Sequence, residues 1–248
     1  MARDQLLTVA DNPADICGGS HTSTRVRVSA KFPFDVVELL YNGKCPFVVV
    51  GQVQGGALVR TRYLRRHFIE LAVREFRPDG DVIELGSGQQ WRYCPKSLTV
   101  NIDAHAKPDI VADVEKLQLD QHFDCALALE VIEHTREPWA FITATFNLLK
   151  PGGRALFTVP FTFEIHAEHD YWRFTRQQLA RLFADWTDVR IEPQGRKYSV
   201  ICHFLRLSPI GRIAYPLLNN LGVLLDALLR PNDRITLGYA VTARRPQG

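Results

Sequence analysis

Two stretches of the sequence combine residue types able to bind a small molecule and act on it. The first is Asp81-Val-Ile-Glu-Leu-Gly-Ser-Gly88, an apolar run that ends in a glycine turn, with Glu84 just before the first glycine. Glycine accepts positive φ and lets a backbone approach a ligand closely, so Gly86, Ser87 and Gly88 make a candidate cradle. Glu84 adds an acceptor for a cationic or hydroxylated group. The second stretch runs from Val159 to Phe174 and is the densest set of polar and aromatic side chains in the chain. His166, His169, Asp170 and Tyr171 within it, and His134 in Leu129-Glu-Val-Ile-Glu-His134, are groups suited to taking up or relaying a proton. Of these, His169 and His166 are the first choices for a general base.

A dinucleotide turn needs G-x-G-x-x-G opening a helix whose N-terminus holds the pyrophosphate. Here the stretch reads Gly86-Ser-Gly-Gln-Gln-Trp91, without the third glycine, and the Glu84 carboxylate would repel a pyrophosphate. The turn therefore favours a zwitterionic, phosphate-free ligand over a nicotinamide cofactor. Two further acids, Asp103 and Asp113, stand just past the next two apolar runs. No metal is expected. Glu130-x-x-Glu-His134 lacks the second histidine of a zincin helix, and His166 and His169 have no cysteine or third evident ligand beside them.

The elements that must position these groups follow from apolar periodicity. Leu64, Phe68 and Leu71 recur at helical spacing, with Arg60, Arg62, Arg65, Arg66 and Arg74 filling much of the rest, which predicts a leading helix over 57–77 ended by Pro78 and Gly80. Short apolar runs predict strands over 81–85, 98–102, 110–112, 123–129, 154–159 and 189–192, with helices over 138–149 and 176–183 between the later ones. Lys150-Pro-Gly-Gly153 reads as a helix end and chain reversal. A helical insertion over 198–230 precedes a last strand over 236–243. The expected fold class is α/β, a doubly wound, mostly parallel seven-stranded sheet with an antiparallel last strand, and ligands at the carboxyl ends of its strands. Residues 1–56 read as an N-terminal arm and 57–248 as one α/β domain, with 81–193 as its core.

Composition narrows the classes. The chain has 248 residues, 46% of them apolar, enough for one full domain with additions. Lys plus Arg number 30 against 27 Asp plus Glu, so the +3 balance gives no reason to expect an obligatory nucleic-acid partner. Cys17, Cys45, Cys94, Cys125 and Cys202 are scattered without a C-x-x-C pair, which argues against a disulfide framework or a structural zinc site. The opening residues lack a basic segment followed by an apolar stretch, so no secretory leader is expected and the cytoplasm is the expected compartment. The apolar region 209–229 is broken by Arg212, Pro216, Asn219, Asn220 and Asp226, so no transmembrane segment is expected. Over 209–230, Leu217, Leu221, Leu224 and Leu228 make one apolar face, and Leu218 and Leu225 a second, so the region is a candidate homodimer seam or a lid over an acceptor ahead of a membrane-surface helix, with burial against the N-terminal arm as the equal alternative.

Taken in order, these motifs resemble the class I S-adenosylmethionine-dependent methyltransferases, in particular their small bacterial-type branch. The resemblance covers 81–193 and the last strand. It implies S-adenosylmethionine as cofactor, with Glu84, Gly86, Ser87 and Gly88 at its methionine portion, Asp103 on the ribose hydroxyls, Asp113 and the Val114 backbone on the adenine, and Leu129 and Glu130 packed against it. A branch of the same family carries a run similar to His169-Asp-Tyr-Trp-Arg-Phe-Thr175. The pattern departs at Gln90, where the family has its third glycine.

The resemblance implies methyl transfer by in-line displacement, with His169, His166, His134 and Tyr171 as the catalytic candidates on the acceptor side. No Asn-Pro-Pro-Tyr or Asp-Pro-Pro-Tyr string follows the fourth strand, so a small-molecule acceptor, methylated on oxygen before nitrogen or carbon, is expected. The alternatives are a non-catalytic methyltransferase-like binding subunit and, behind it, a nicotinamide-dependent oxidoreductase.

Overall fold

The computed structural model describes residues 64–89 and 92–247, together with the strand segments 24–28, 34–42, 45–53 and 56–57. Gln90, Arg60 and Arg62 lie outside the described residues. The chain divides into two units, 1–60 and 61–248. In the first, β1 (Thr24–Val28), β2 (Phe34–Asn42), β3 (Cys45–Val53) and β4 (Gly56–Ala57) form a four-stranded antiparallel sheet in sequence order. The arm expected over 1–56 thus contains strands. The valine-rich runs of 34–53 have the β-branched character that suits a pleated sheet.

The second unit opens with α1 (Leu64–Phe76) and continues through β5 (Val82–Leu85), β6 (Leu98–Asn101), β7 (Ile110–Val111), β8 (Phe123–Leu129), α2 (Pro138–Leu148), β9 (Leu149–Pro160), α3 (Arg176–Leu182), β10 (Thr187–Gln194), α4 (Lys197–Leu205), α5 (Pro209–Leu229) and β11 (Gly238–Arg244). The seven strands lie in the order β10-β11-β9-β8-β5-β6-β7. All are parallel except β11, which runs antiparallel to both β9 and β10. This is the fold class expected from the sequence.

The central strands are apolar on both faces, as a sheet covered by helices on each side requires. Along β8 the side chains alternate. Cys125 and Leu127 pack with Ala72 and Phe76 of α1, while Ala126 and Ala128 pack with Phe141, Ile142 and Leu148 of α2. Between β8 and β9, Phe123 pairs with Leu149 and Cys125 with Arg154, so 150–153 leave the register as the expected reversal. Lys150 is held there by Asp81 at 3.0 Å and Asp124 at 2.9 Å.

One expectation for α1 needs correction. Arg65, counted with the polar face, is 3% exposed and faces the sheet. Its guanidinium is taken up by partners there, as a buried charge must be.

The helical insertion is a pair. Asp226 of α5 accepts hydrogen bonds from the backbone N–H groups of Arg196 (2.7 Å), Tyr198 (2.9 Å) and Ser199 (3.2 Å), closing the start of α4 from another helix. Ser208 caps α5 through Gly211 N–H at 3.0 Å. Leu217, Leu221, Leu224 and Leu228 of α5 point outward, 72%, 41%, 40% and 45% exposed, which sets them off from the buried Asn219 on the other face. Among the described residues no helix is long and apolar enough to cross a membrane.

Candidate functional site

At the carboxyl end of β5 the chain turns through Gly86, whose φ of 77° lies in the region glycine favours. Neighbouring strands fix the turn from two sides. Gly86 N–H donates to the Val100 carbonyl at 2.7 Å, and the Asn101 side-chain amide donates to the Gly86 carbonyl at 2.9 Å. A side chain has no room at either glycine, because a Cβ on Gly86 would lie 2.3 Å from Val131 Cγ2 and one on Gly88 2.1 Å from the Ala106 carbonyl oxygen. The turn is therefore in contact with the segment after β6 and the segment after β8. Ser87, between the glycines, is buried.

The acids expected at the strand ends are found there. Asp103 follows β6, its backbone N–H bound to Asn101 Oδ1 at 2.9 Å, and its carboxylate caps a short 3-10 turn through His105 N–H at 2.8 Å. Asp113 follows β7 and caps a second such turn through Glu115 N–H at 3.0 Å, with Val114 buried beside it. Each cap uses Oδ1, and Asp103 is exposed.

Glu84 has a different environment from the one its type suggests. It is 1% exposed, and its carboxylate accepts hydrogen bonds from Tyr93 N–H (3.0 Å), Cys94 N–H (2.7 Å) and Ser97 Oγ (2.7 Å). It anchors the segment between the glycine turn and β6. Burial, with the Glu84 charge second, pushes the Cys94 thiol up to about 11, so this sulfur is no nucleophile at neutral pH.

Leu129, the last residue of β8, is half-buried, and Glu130 just beyond it adopts a φ of 56°, a left-handed conformation uncommon for a side-chain-bearing residue. The Glu130 carboxylate is gripped by Arg65, with Nε donating to Oε2 at 2.9 Å and Nη2 to Oε1. The remaining Arg65 nitrogen, Nη1, donates to Gln194 of β10. Glu133 is wholly buried, yet neither of its oxygens has a hydrogen-bond partner. Burial first, and the Glu130 charge second, hold its carboxyl well above the usual carboxylate range.

Two of the catalytic candidates, His134 and His166, gather at its carboxylate, while His169 and Tyr171 pair with each other on the same loop. His134 Nδ1 bonds the His169 backbone carbonyl, and its Nε2 lies 3.6 Å from Glu133 Oε1. A carbonyl only accepts, so Nδ1 carries the proton and Nε2 the lone pair. The His134 and His166 rings meet edge to face with centroids 4.9 Å apart. His169 stacks on Tyr171 at 5.7 Å, and its Nδ1 is 3.1 Å from the Tyr171 hydroxyl. Asp170, its side chain fully buried, joins His166 to Arg173: Arg173 holds the Asp170 carboxyl down at about 2, and Asp170 Oδ2 lies 3.2 Å from His166 Nδ1. The loop is pinned to the strand end by Tyr171 N–H and Trp172 N–H, which donate to the Glu133 carbonyl at 2.8 and 3.3 Å.

Sequence reasoning missed Arg65, Asn101 and Glu133 as site residues. For Glu133 a signal exists: an acid next to His134 in an otherwise apolar Val-Ile context.

A family model for a methyltransferase domain matches residues 59–201. Among solved structures, the chain is similar to a SAM-dependent methyltransferase from Archaeoglobus fulgidus, with 14% identity and a TM-score of 0.50 over 73% of this chain and 94% of that one. It is also similar to a chain of the complex between a Haloferax volcanii methyltransferase activator and a methyltransferase, with 13% identity and a TM-score of 0.51 over 73% of this chain and 90% of that one. At these identities the likeness is one of fold. No curated protein matches the chain in sequence.

Proposed function

The chain belongs to the class I S-adenosylmethionine-dependent methyltransferase family, and from that premise we propose that it moves a methyl group from S-adenosylmethionine to a small-molecule acceptor, oxygen before nitrogen or carbon. One observation carries the reading. The Gly86 turn closes the carboxyl end of β5, and Asp103 and Asp113 stand at the ends of the two strands that follow it in the sheet.

The residues fit the cofactor. Gly86 and Gly88 allow a tight backbone turn where a Cβ would strike Val131 or the Ala106 carbonyl, with Ser87 between them, Asp103 offers a carboxylate to a ribose diol, and Asp113 with the Val114 backbone suits an adenine edge. Glu84 supports this site by holding the segment 93–97 beside the turn. When bound, S-adenosylmethionine supplies an electrophilic methyl group on a sulfonium. No covalent enzyme intermediate is needed, so the protein's work is to position the acceptor, exclude water and receive a proton. His169 is assigned the last role. With Nδ1–H donating to the Tyr171 oxygen, its Nε2 keeps the lone pair.

Calorimetry with S-adenosylmethionine and its demethylated product tests the cofactor assignment. The wild type should bind, and Asp103→Ala should weaken binding by about 1–3 kcal/mol, the cost of leaving hydroxyls unpaired. Absence of binding, or unchanged affinity in the variant, would overturn it. Binding without label transfer into any acceptor of a cell extract would assign the chain to the non-catalytic alternative.

A further inference from the structure

Two fragments that look incomplete in sequence meet in space. Glu133 and His134 follow β8, His166 lies in the loop after β9, and one ligand-competent atom from each falls within 4.8 Å of the other two. We infer that Glu133, His134 and His166 form a binding site for a single divalent first-row transition metal ion, of the two-histidine-one-carboxylate kind.

Three features of the chain support the site. Both imidazoles are already oriented from behind, His134 by its Nδ1 bond to the His169 carbonyl and His166 by Asp170 Oδ2 at 3.2 Å from its Nδ1. Metal-binding histidines are held in this way, with one ring nitrogen tied to a carbonyl or carboxylate so that the other presents its lone pair. The second feature is Glu133 itself. It is fully buried, aimed at this cluster and without a hydrogen-bond donor on either oxygen. Its nearby cation, Arg65, is spent on Glu130 and Gln194. A buried carboxylate left this way requires a cation or a proton.

The third feature is spacing. Metal–ligand distances of about 2.1 Å in tetrahedral geometry separate ligand atoms by roughly 3.4 Å. Glu133 Oε1 and His134 Nε2 are already 3.6 Å apart, and His166, on an exposed loop segment, offers a ring nitrogen within 4.8 Å of a ligand atom of each. Imidazole and carboxylate suit zinc, iron and their neighbours rather than calcium or magnesium. Three protein ligands leave positions open, the mark of a reactive rather than a structural site. If the methyl-transfer reading holds, an open position faces the acceptor, where the ion would lower the pKa of a bound hydroxyl.

The metal-stripped full chain, without cofactor, is titrated with Co2+ and followed by its visible absorption, and with Zn2+ by calorimetry. One equivalent is expected to bind. His166→Ala and Glu133→Gln should each weaken binding at least tenfold, whereas Cys94→Ser and His169→Ala, which keeps the carbonyl on His134, should not. Far-UV circular dichroism checks the fold, and His166→Ala, at an exposed position, supplies the readout if Glu133→Gln unfolds. Absence of binding by the wild type, or equal affinity in the wild type and His166→Ala, would overturn the site. Neither result depends on whether S-adenosylmethionine binds.

Discussion

Arg65 and Glu130 form a two-pronged ion pair that ties the leading helix to the carboxyl end of β8, and Arg65 is 3% exposed. Removing one partner of a buried pair leaves the other charge without compensation, at a cost of about 3–5 kcal/mol. Arg65→Ala should lower unfolding stability by an amount in that range, measured in urea. Glu130→Gln, which strands the more deeply buried Arg65, should also lower stability and leave cofactor affinity within a few-fold, because the Glu130 carboxylate is engaged by the protein itself. A large loss of affinity at unchanged stability would instead place that carboxylate on the cofactor.

Gly86→Ala combines a disfavoured φ with a Cβ 2.3 Å from Val131, and Gly88→Ala drives a Cβ to 2.1 Å from the Ala106 carbonyl. Overpacking of this kind costs about 1–3 kcal/mol. Both variants should lower the melting temperature by several degrees and weaken cofactor binding more than tenfold. Normal calorimetric titrations in both would show that the turn is remote from the cofactor.

His169→Ala and Tyr171→Phe should reduce turnover while leaving cofactor affinity within a few-fold, since both side chains lie on the loop after β9 and not on the glycine turn. Tyr171→Phe keeps the stack on His169 and loses only the bond to its Nδ1. Its effect should therefore be the smaller and should appear as a shift in the pH profile of kcat. Loss of cofactor binding in both folded variants would count against the placement of the loop.

Glu164 is held down at about 2, first by its hydrogen bond with His203 at 2.7 Å, with Arg206 contributing. A carboxylate with a depressed folded pKa adds stability that is present above its unfolded value of about 4.5 and lost as pH falls toward about 2. Acid unfolding should accordingly steepen between those two values. Glu164→Gln should lower stability at neutral pH and flatten that limb, and an unchanged acid limb would show that the pair contributes nothing.

The outward leucines of α5 give the expected self-association a direct check. Leu221→Glu should cost no more than about 0.5 kcal/mol, as exposed substitutions do, and should reduce the mass seen by light scattering at high concentration. A wild type that scatters as a monomer at every concentration removes this stripe as a seam.

Much of the architecture was legible because it rests on local patterns. The runs at 82–85 and 123–129 are apolar but for Glu84 and Asp124, the glycine turn ends the first, and the acids at 103 and 113 follow closely on their strands. What stayed hidden depends on distant partners. Arg65 reads as a solvated helix residue until Glu130 and Gln194 are brought beneath it. His134 and His166 belong to two separately incomplete motifs, and only the packing of the loop after β9 onto the Glu133 carbonyl brings them together. Glu84 is the reverse case, because its type and place suggested a ligand contact while the neighbouring backbone absorbs its carboxylate.

The position of β11 between β9 and β10 bears on how the chain is made. Gly238 pairs with Pro160 on one side and with Gln194 on the other, yet it is translated after both. While synthesis proceeds, β9 therefore presents an unpaired edge and β10 has no place in the sheet, an opening that other chains can enter. The long sequence separation of these pairings makes their closure slow. The nascent protein is thus most vulnerable to aggregation in the interval between the emergence of β9 and the arrival of β11, when chaperone protection matters most.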